Sequence, residues 1–214
     1  MRKLLLAALL ASSVASMALA TEQDVVNRSA TIMREFHAMP EKDIPRSVMQ
    51  NARGLAIISV LKVGFGISGK GGEGVVVART GNGWSGPSFV GTGGAGAGFQ
   101  IGAQVTDFVF VLNTDAAVRA FSKDGNVTLG ADVSASAGPV GRDLQADVTP
   151  RAAVYTYSRS KGLFAGASLE GAIIATQKTA NTRYYGRPVS ARAILSGAVP
   201  APAGARHLRG LLSR

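Results

Sequence analysis

The 214-residue chain contains no cysteine. That excludes disulfides, thiolate metal sites and a lipid-modified N-terminal cysteine. Histidine is scarce: His37 and His207 are the only two. Neither has a partner at ligand spacing, so no metal site is expected, and a Ser–His–Asp triad would have to draw on one of them. Acids number 13 against 23 Lys and Arg, and their spacing recommends no carboxylate pair for hydrolysis. Long apolar runs are missing too. Leu4–Leu10 is too short to span a bilayer, and no later stretch reads as transmembrane. Neither an enzyme nor a cofactor is expected from this inventory.

What is present begins with Arg2, Lys3, that apolar run and Ala18-Leu19-Ala20. The pattern reads as a signal peptide, residues 1–20, cleaved after Ala20. The absence of cysteine then suits a bacterial periplasmic or secreted product. Loss of Arg2 and Lys3 lowers the formal charge from +10 to +8. An exported cation does not ordinarily meet nucleic acid. Its polyanions are lipid phosphates, lipopolysaccharide or other envelope polymers, unless the charge serves only solubility.

Residues 21–39 read as a helix, with Thr21 and Asp24 as a capping pair and Val25, Ile32, Met33, Phe36 and Met39 at helical spacing. Its polar face is nearly charge-balanced by Glu22, Asp24, Arg28, Arg34 and Glu35. A short helix follows Pro45 and stops at Gly54. Sixteen of the 27 glycines then fall between Gly54 and Gly102, separating strand-like runs at Leu55–Val63, Val75–Arg79 and Phe99–Leu112. The last starts half exposed, polar at Gln104 and Thr106, and ends covered on both sides. Asp107 interrupts it as a candidate for a buried ion pair. A short helix with Val118 and Phe121 follows Thr114, and Lys123–Asn126 is a turn. Further strands are expected near 127–135, 151–158 and 163–176, and a helix from about Pro188 to Gly197. Residues 198–214 read as a Pro/Ala linker and a flexible basic tail. The whole is α+β: N-terminal helices, a strongly bent, largely antiparallel, barrel-like sheet and a C-terminal helix, in one domain over 21–197.

"GFGISG", Gly64–Gly69, matches a dinucleotide fingerprint, and Gly64–Gly71 falls one residue short of a phosphate loop. Both need a helix directly after the glycines. Val75-Val76-Val77 is a strand instead, so a glycine-rich hairpin is the reading. Trp84 reads as a core or rim aromatic at a strand end, with a ligand platform as the alternative. Arg159-Ser160-Lys161-Gly162 reads as a hairpin turn between Tyr155–Ser158 and Leu163–Ser168. Glu170 reads as a structural acid needing an arginine, Arg142 or Arg159.

The strings "IPRSVMQNARGLAII", "KVGFGISGKGGEGVVVAR", "GWSGPSFV", "GAGFQIGAQVTDFVFVLN", "GPVGR" and "YSRSKGLFAGASLEG" resemble the SYLF domain family. They span residues 44–171, and "YYGRPVS" extends the similarity. The resemblance implies an α+β domain that binds membrane lipids, with phosphoinositides preferred by eukaryotic members and actin bound by some fungal ones. In eukaryotic members the N-terminal amphipathic region is implicated in membrane contact and carries basic residues. The charge-balanced helix here departs from that, so anionic phospholipid in general is the expected ligand class. A peripheral membrane contact through a basic rim is expected, drawn from Lys62, Lys70, Arg79, Arg142, Arg159 and Lys161. The alternatives are an envelope interaction protein without a small ligand, or an envelope hydrolase.

Overall fold

The computed structural model describes residues 21–39, 44–139, 152–162 and 172–213. Helix α1 (Glu22–His37) starts at a reciprocal cap. The Thr21 hydroxyl accepts from the Asp24 N–H at 3.2 Å, and the Asp24 carboxylate accepts from the Thr21 N–H at 3.0 Å. The Thr21 hydroxyl also donates to Asp24 Oδ2 at 2.6 Å, and this bond, followed by that of the Thr21 N–H, holds the Asp24 carboxyl below its ordinary pKa. Val26, Ile32, Met33 and Phe36 form one buried stripe, each contributing about 1.5–3 kcal/mol. The six-residue α2 (Arg46–Asn51) follows Pro45.

Strands β1 (Gly54–Thr80) and β3 (Ser88–Leu112) pair antiparallel, with the two-residue β2 (Gly83–Trp84) between them. Their register runs from Gly54–Leu112 to Phe65–Ile101, shifts, and resumes from Ile67–Ala97 to Val76–Ser88. At the shift Gly66 alone faces Gly98, Phe99 and Gln100. Fewer residues on one strand than on its partner is what a bend with β1 inside requires. The two halves of β1 accordingly lie side by side. The Arg79 N–H donates to the Arg53 carbonyl at 2.8 Å. A Cβ on Gly54 would come 3.0 Å from the Val77 carbonyl, one on Gly72 would come 2.8 Å from the Ser59 carbonyl, and one on Gly74 would overlap the Ile57 carbonyl. Gly74 is therefore required for close backbone approach. The sequence's glycine-rich hairpin is this reversal, built from unbroken strand.

Strand β6 (Val154–Gly162) pairs antiparallel with the end of β3, and β5 (Ala135–Ala137) pairs parallel with β6. β7 (Ile173–Thr176) pairs with the start of β3, and β4 (Asn126–Thr128) with β7. The sheet is mixed and strongly curled, a half-barrel with helices on both faces. One face packs Leu55, Ile57, Val75, Val77, Val109 and Val111 against α1 and Trp84. The other packs Ala56, Ile58, Phe108, Phe110 and Leu112 against α3 (Asp115–Phe121) and α5 (Ala191–Leu195). Residues 108–112 are thus covered on both sides, as the sequence pattern implies. Earlier in β3 the pattern fails: Gln104 and Thr106 are buried and Ala103 is exposed. The Thr106 and Ser160 hydroxyls, 3.1 Å apart, satisfy each other across the strands.

Three other expectations change. The 127–135 stretch divides between β4 and β5, joined by a Leu129–Val133 bridge. Helix α4 (Lys178–Tyr185) forms where no apolar stripe announced one; its buried Asn181 accepts from the Phe89 N–H at 2.8 Å. The tail of 198–214 is not a loose basic segment in its described part. Ala203–Ala205 make a 3-10 turn into α6 (Arg206–Leu212), whose Leu208 and Leu212 are 0% and 3% exposed. The indole of Trp84 donates to the Leu212 carbonyl at 2.8 Å, and Arg209 Nε donates to the Trp84 carbonyl at 2.7 Å. Four-residue spacing puts both leucines on one stripe, and their burial outweighs the loose sequence before them.

Burial raises the phenol of Tyr184 to about 12 and pushes Tyr157 and Tyr185 higher still. The Tyr157 hydroxyl donates to the Pro139 carbonyl at 2.9 Å and that of Tyr185 to the Pro87 carbonyl at 3.1 Å. All three folded values exceed the ordinary 10.0. Their contribution to stability is therefore complete below pH 10 and is lost as pH rises towards the folded values. Thermal melts across this range are expected to be level up to pH 10 and to drop steeply from pH 10 to 12. Equal melting temperatures at both ends would place the phenols in solvent.

Candidate anion-contact site

Of the six cations expected at a rim, Lys62 and Lys70 lie on the two sides of the register shift in β1. The backbone bond from Arg79 to Arg53 sets the register between the halves of β1. It aligns Leu55 with Val77, Ile57 with Val75, and Val60 with Gly72, where a Cβ would come 2.8 Å from the Val60 side chain. Strand alternation from Val60 and Gly72 puts Lys62 and Lys70 on one sheet face. Their partners on β3 are Gln104 and Gly94. The stem of Lys70 lies over Gly94, where a Cβ would come 2.9 Å from Lys70 Cε. Among the described residues no carboxylate pairs with either lysine. On the other face at this end, Val63 is 47% exposed beside the partly buried Leu61 and Val105.

Arg159 is a correction. Residues 159–162 are not a turn: β6 runs through Gly162, with Arg159 opposite Asp107, Lys161 opposite Val105 and Gly162 opposite Gln104. Arg159 Nη2 donates to Asp107 Oδ2 at 2.8 Å and also to the Glu35 carboxylate of α1. The Ser59 hydroxyl donates to Asp107 Oδ1 at 2.9 Å. The Arg159 side chain is 13% exposed, and its Nε is buried without a partner. Burial by itself would lower the guanidinium pKa; the bonds and charges of Asp107 and Glu35 outweigh it and hold it above its ordinary value. Arg159 is thus a clamp between α1 and the sheet, not a cation offered to a ligand. Asp107 is the buried-pair acid its place in an apolar strand suggested.

Arg79 lies near the C-terminal end of β1, bonded to Arg53 and so nine residues along the strand from Lys62, roughly 30 Å. Its guanidinium stands 4.4 Å over the Trp84 ring and donates to the Met49 carbonyl at 3.2 Å. Trp84 is a core residue, 1% exposed. Arg142 and Glu170 lie outside the described residues. At the Arg79 end an open groove of about 610 Å³ is lined by Arg53, Arg79, Arg119, Lys123 and Arg192, with Asp115 and Asp132. Sequence reasoning missed this groove, because its cations come from β1, α3, a turn and α5. Among the described residues no three His, Asp or Glu side chains gather as a metal site, and no helix is long and apolar enough to cross a membrane.

The sequence profile of the Ysc84 family, described as "Las17-binding protein actin regulator", matches residues 93–214. The human SH3 domain-containing YSC84-like protein 1 is 47% identical over 193 residues, 86% of this chain and 56% of that protein. Protein YSC84 of Saccharomyces cerevisiae is 49% identical over 174 residues, 79% of this chain and 37% of that protein. LAS seventeen-binding protein 3 of the same yeast is 50% identical over 177 residues, 80% of this chain and 39% of that protein. The chain thus matches little more than half, or less, of these relatives' lengths.

Proposed function

The chain belongs to the Ysc84 family of SYLF-domain proteins, and on that premise we propose that it is a non-enzymatic lipid-binding module for anionic phospholipid. The observation that carries this reading is the Lys62–Lys70 pair. Two cations on one sheet face, with no carboxylate partner among the described residues, are open to a phosphate. Half-exposed Val63 on the adjoining face adds an apolar contact at the same end of the sheet. Helix α1 supplies no comparable surface, since its apolar stripe is buried and Glu22 and Glu35 are paired with Arg183 and Arg159.

The proposal includes export. Cleavage after Ala20 would leave Thr21 free to cap α1, and the protein would meet envelope phospholipid as a peripheral, periplasmic or secreted partner. The names of the relatives, as binding and regulatory proteins, support a non-catalytic role. The family description also favours a second reading, an interaction protein whose ligand is another protein.

Each cation near an anionic bilayer contributes about 1 kcal/mol, so Lys62→Ala with Lys70→Ala is expected to weaken binding to phosphatidylglycerol vesicles roughly 30-fold at low salt. The deficit should shrink as salt rises, and the melting temperature should hold. Vesicle co-sedimentation measures this. Parent protein that binds neither anionic nor neutral vesicles would leave the protein-partner reading. Equal binding by parent and variant at every salt concentration would move the contact away from these lysines.

A further inference from the structure

A groove opens where Arg53 and Arg79, at the two ends of β1, meet. We propose that it binds an organic anion bearing two phosphate groups. The inference starts from an excess of positive charge, five cations against two carboxylates in one groove. Among the described residues Arg119, Lys123 and Arg192 have no side-chain hydrogen bond or ion pair, and all three are exposed. The acids near them are already engaged. The Asp132 carboxylate accepts the Thr128 N–H at 2.6 Å, Asp124 accepts the Ala191 N–H at 2.9 Å, and Asp115 stands 3.8 Å from Arg53. Arg79 is held over Trp84. Three cations therefore face one concavity as free donors.

The elements make this a built arrangement. Arg119 is carried by α3 and Arg192 by α5, two helices that contact each other over the same sheet face. Lys123 lies two residues past the end of α3. Ala78, Val118 and Leu195 give the groove an apolar lining between these cations. Planar guanidinium groups accept phosphate oxygens in pairs, and a lysine adds a point charge. A volume of about 610 Å³ lies in the range of small-molecule sites. Apolar lining between separated cations suits a carbon-bearing group with phosphates at two positions better than a lone inorganic ion. The same chemistry occurs in a soluble bisphosphate and in a phosphorylated lipid headgroup.

Calorimetric titration of the full chain with fructose 1,6-bisphosphate and with inorganic phosphate tests the site, alongside co-sedimentation with phosphatidic acid vesicles. Bisphosphate is expected to bind one to one, at least tenfold tighter than inorganic phosphate. Arg119→Ala with Arg192→Ala should lose at least tenfold in that affinity with an unchanged melting temperature, and the Lys62/Lys70 variant should retain it. A deficit of the arginine variant confined to the soluble probe assigns the groove to free bisphosphates; a deficit confined to vesicles assigns it to headgroups. No binding of either the bisphosphate or the vesicles, equal affinity for bisphosphate and phosphate, or an arginine variant that matches the parent on both, would overturn the site. Failure of the Lys62/Lys70 prediction alone leaves it standing, because neither lysine lines the groove.

Discussion

Replacing Arg159 by methionine is expected to lower stability by about 3–5 kcal/mol, because it strands a buried carboxylate. Asp107 is 5% exposed and receives Arg159 at 2.8 Å, while its other oxygen takes only a serine hydroxyl. For a chain of this size that corresponds to a fall of about 10 °C in melting temperature. Adding Asp107→Asn should recover a large part of the loss, since the uncompensated charge is what makes the single change costly. Binding to anionic vesicles, measured per folded molecule, should be unaffected. A single variant that melts within 2 °C of the parent would show that solvent screens the pair.

Truncation after Gly204 is expected to destabilise the domain by a similar amount. It removes Leu208 and Leu212, each contributing about 1.5–3 kcal/mol by burial, and the carbonyl that accepts the Trp84 indole N–H. Trp84 is the only tryptophan, so its emission reports the event directly. The truncated chain should emit to the red of the parent and melt at lower temperature. An unchanged spectrum and melt would mean that α6 does not seal this part of the core.

The contrast between Asp107 and Arg159 shows what could be read from the sequence. An acid inside an alternating apolar strand is a local anomaly, visible in a window of a few residues, and it marks a buried pair. Its partner carries no such mark. Arg159-Ser160-Lys161-Gly162 has the composition of a turn, and only pairing with β3, fifty-two positions away, makes it strand. The same holds for the cations. Lys62 and Lys70 flank a glycine run and could be proposed together, whereas Arg119 and Arg192 meet only because α3 and α5 pack on one sheet face. Helix α1 was legible because its apolar spacing and its Thr21–Asp24 cap agree. Helix α4 was not, since it buries little beyond Ala180 and Asn181 and is held by a side-chain bond to β3. The tail misled through composition: proline and alanine in the approach masked a leucine stripe of ordinary helical spacing.

The doubled-over ribbon of β1 and β3 sets an order in which the molecule can assemble. Its pairs form a nested series about the turn at 81–87, and each one towards the Gly54–Leu112 end encloses more chain than the last. The short loop at Val76–Ser88 closes at small entropic cost, and each later pair adds only a slowly growing term. The ribbon therefore zips outward from that turn as far as Ile67–Ala97, where the shift interrupts the register. Beyond it the outer half must pair and double back against the inner one before Leu55 and Val77 meet in one core. That step, rather than helix formation, is expected to be the slow event of folding, because it joins distant segments before the core rewards it.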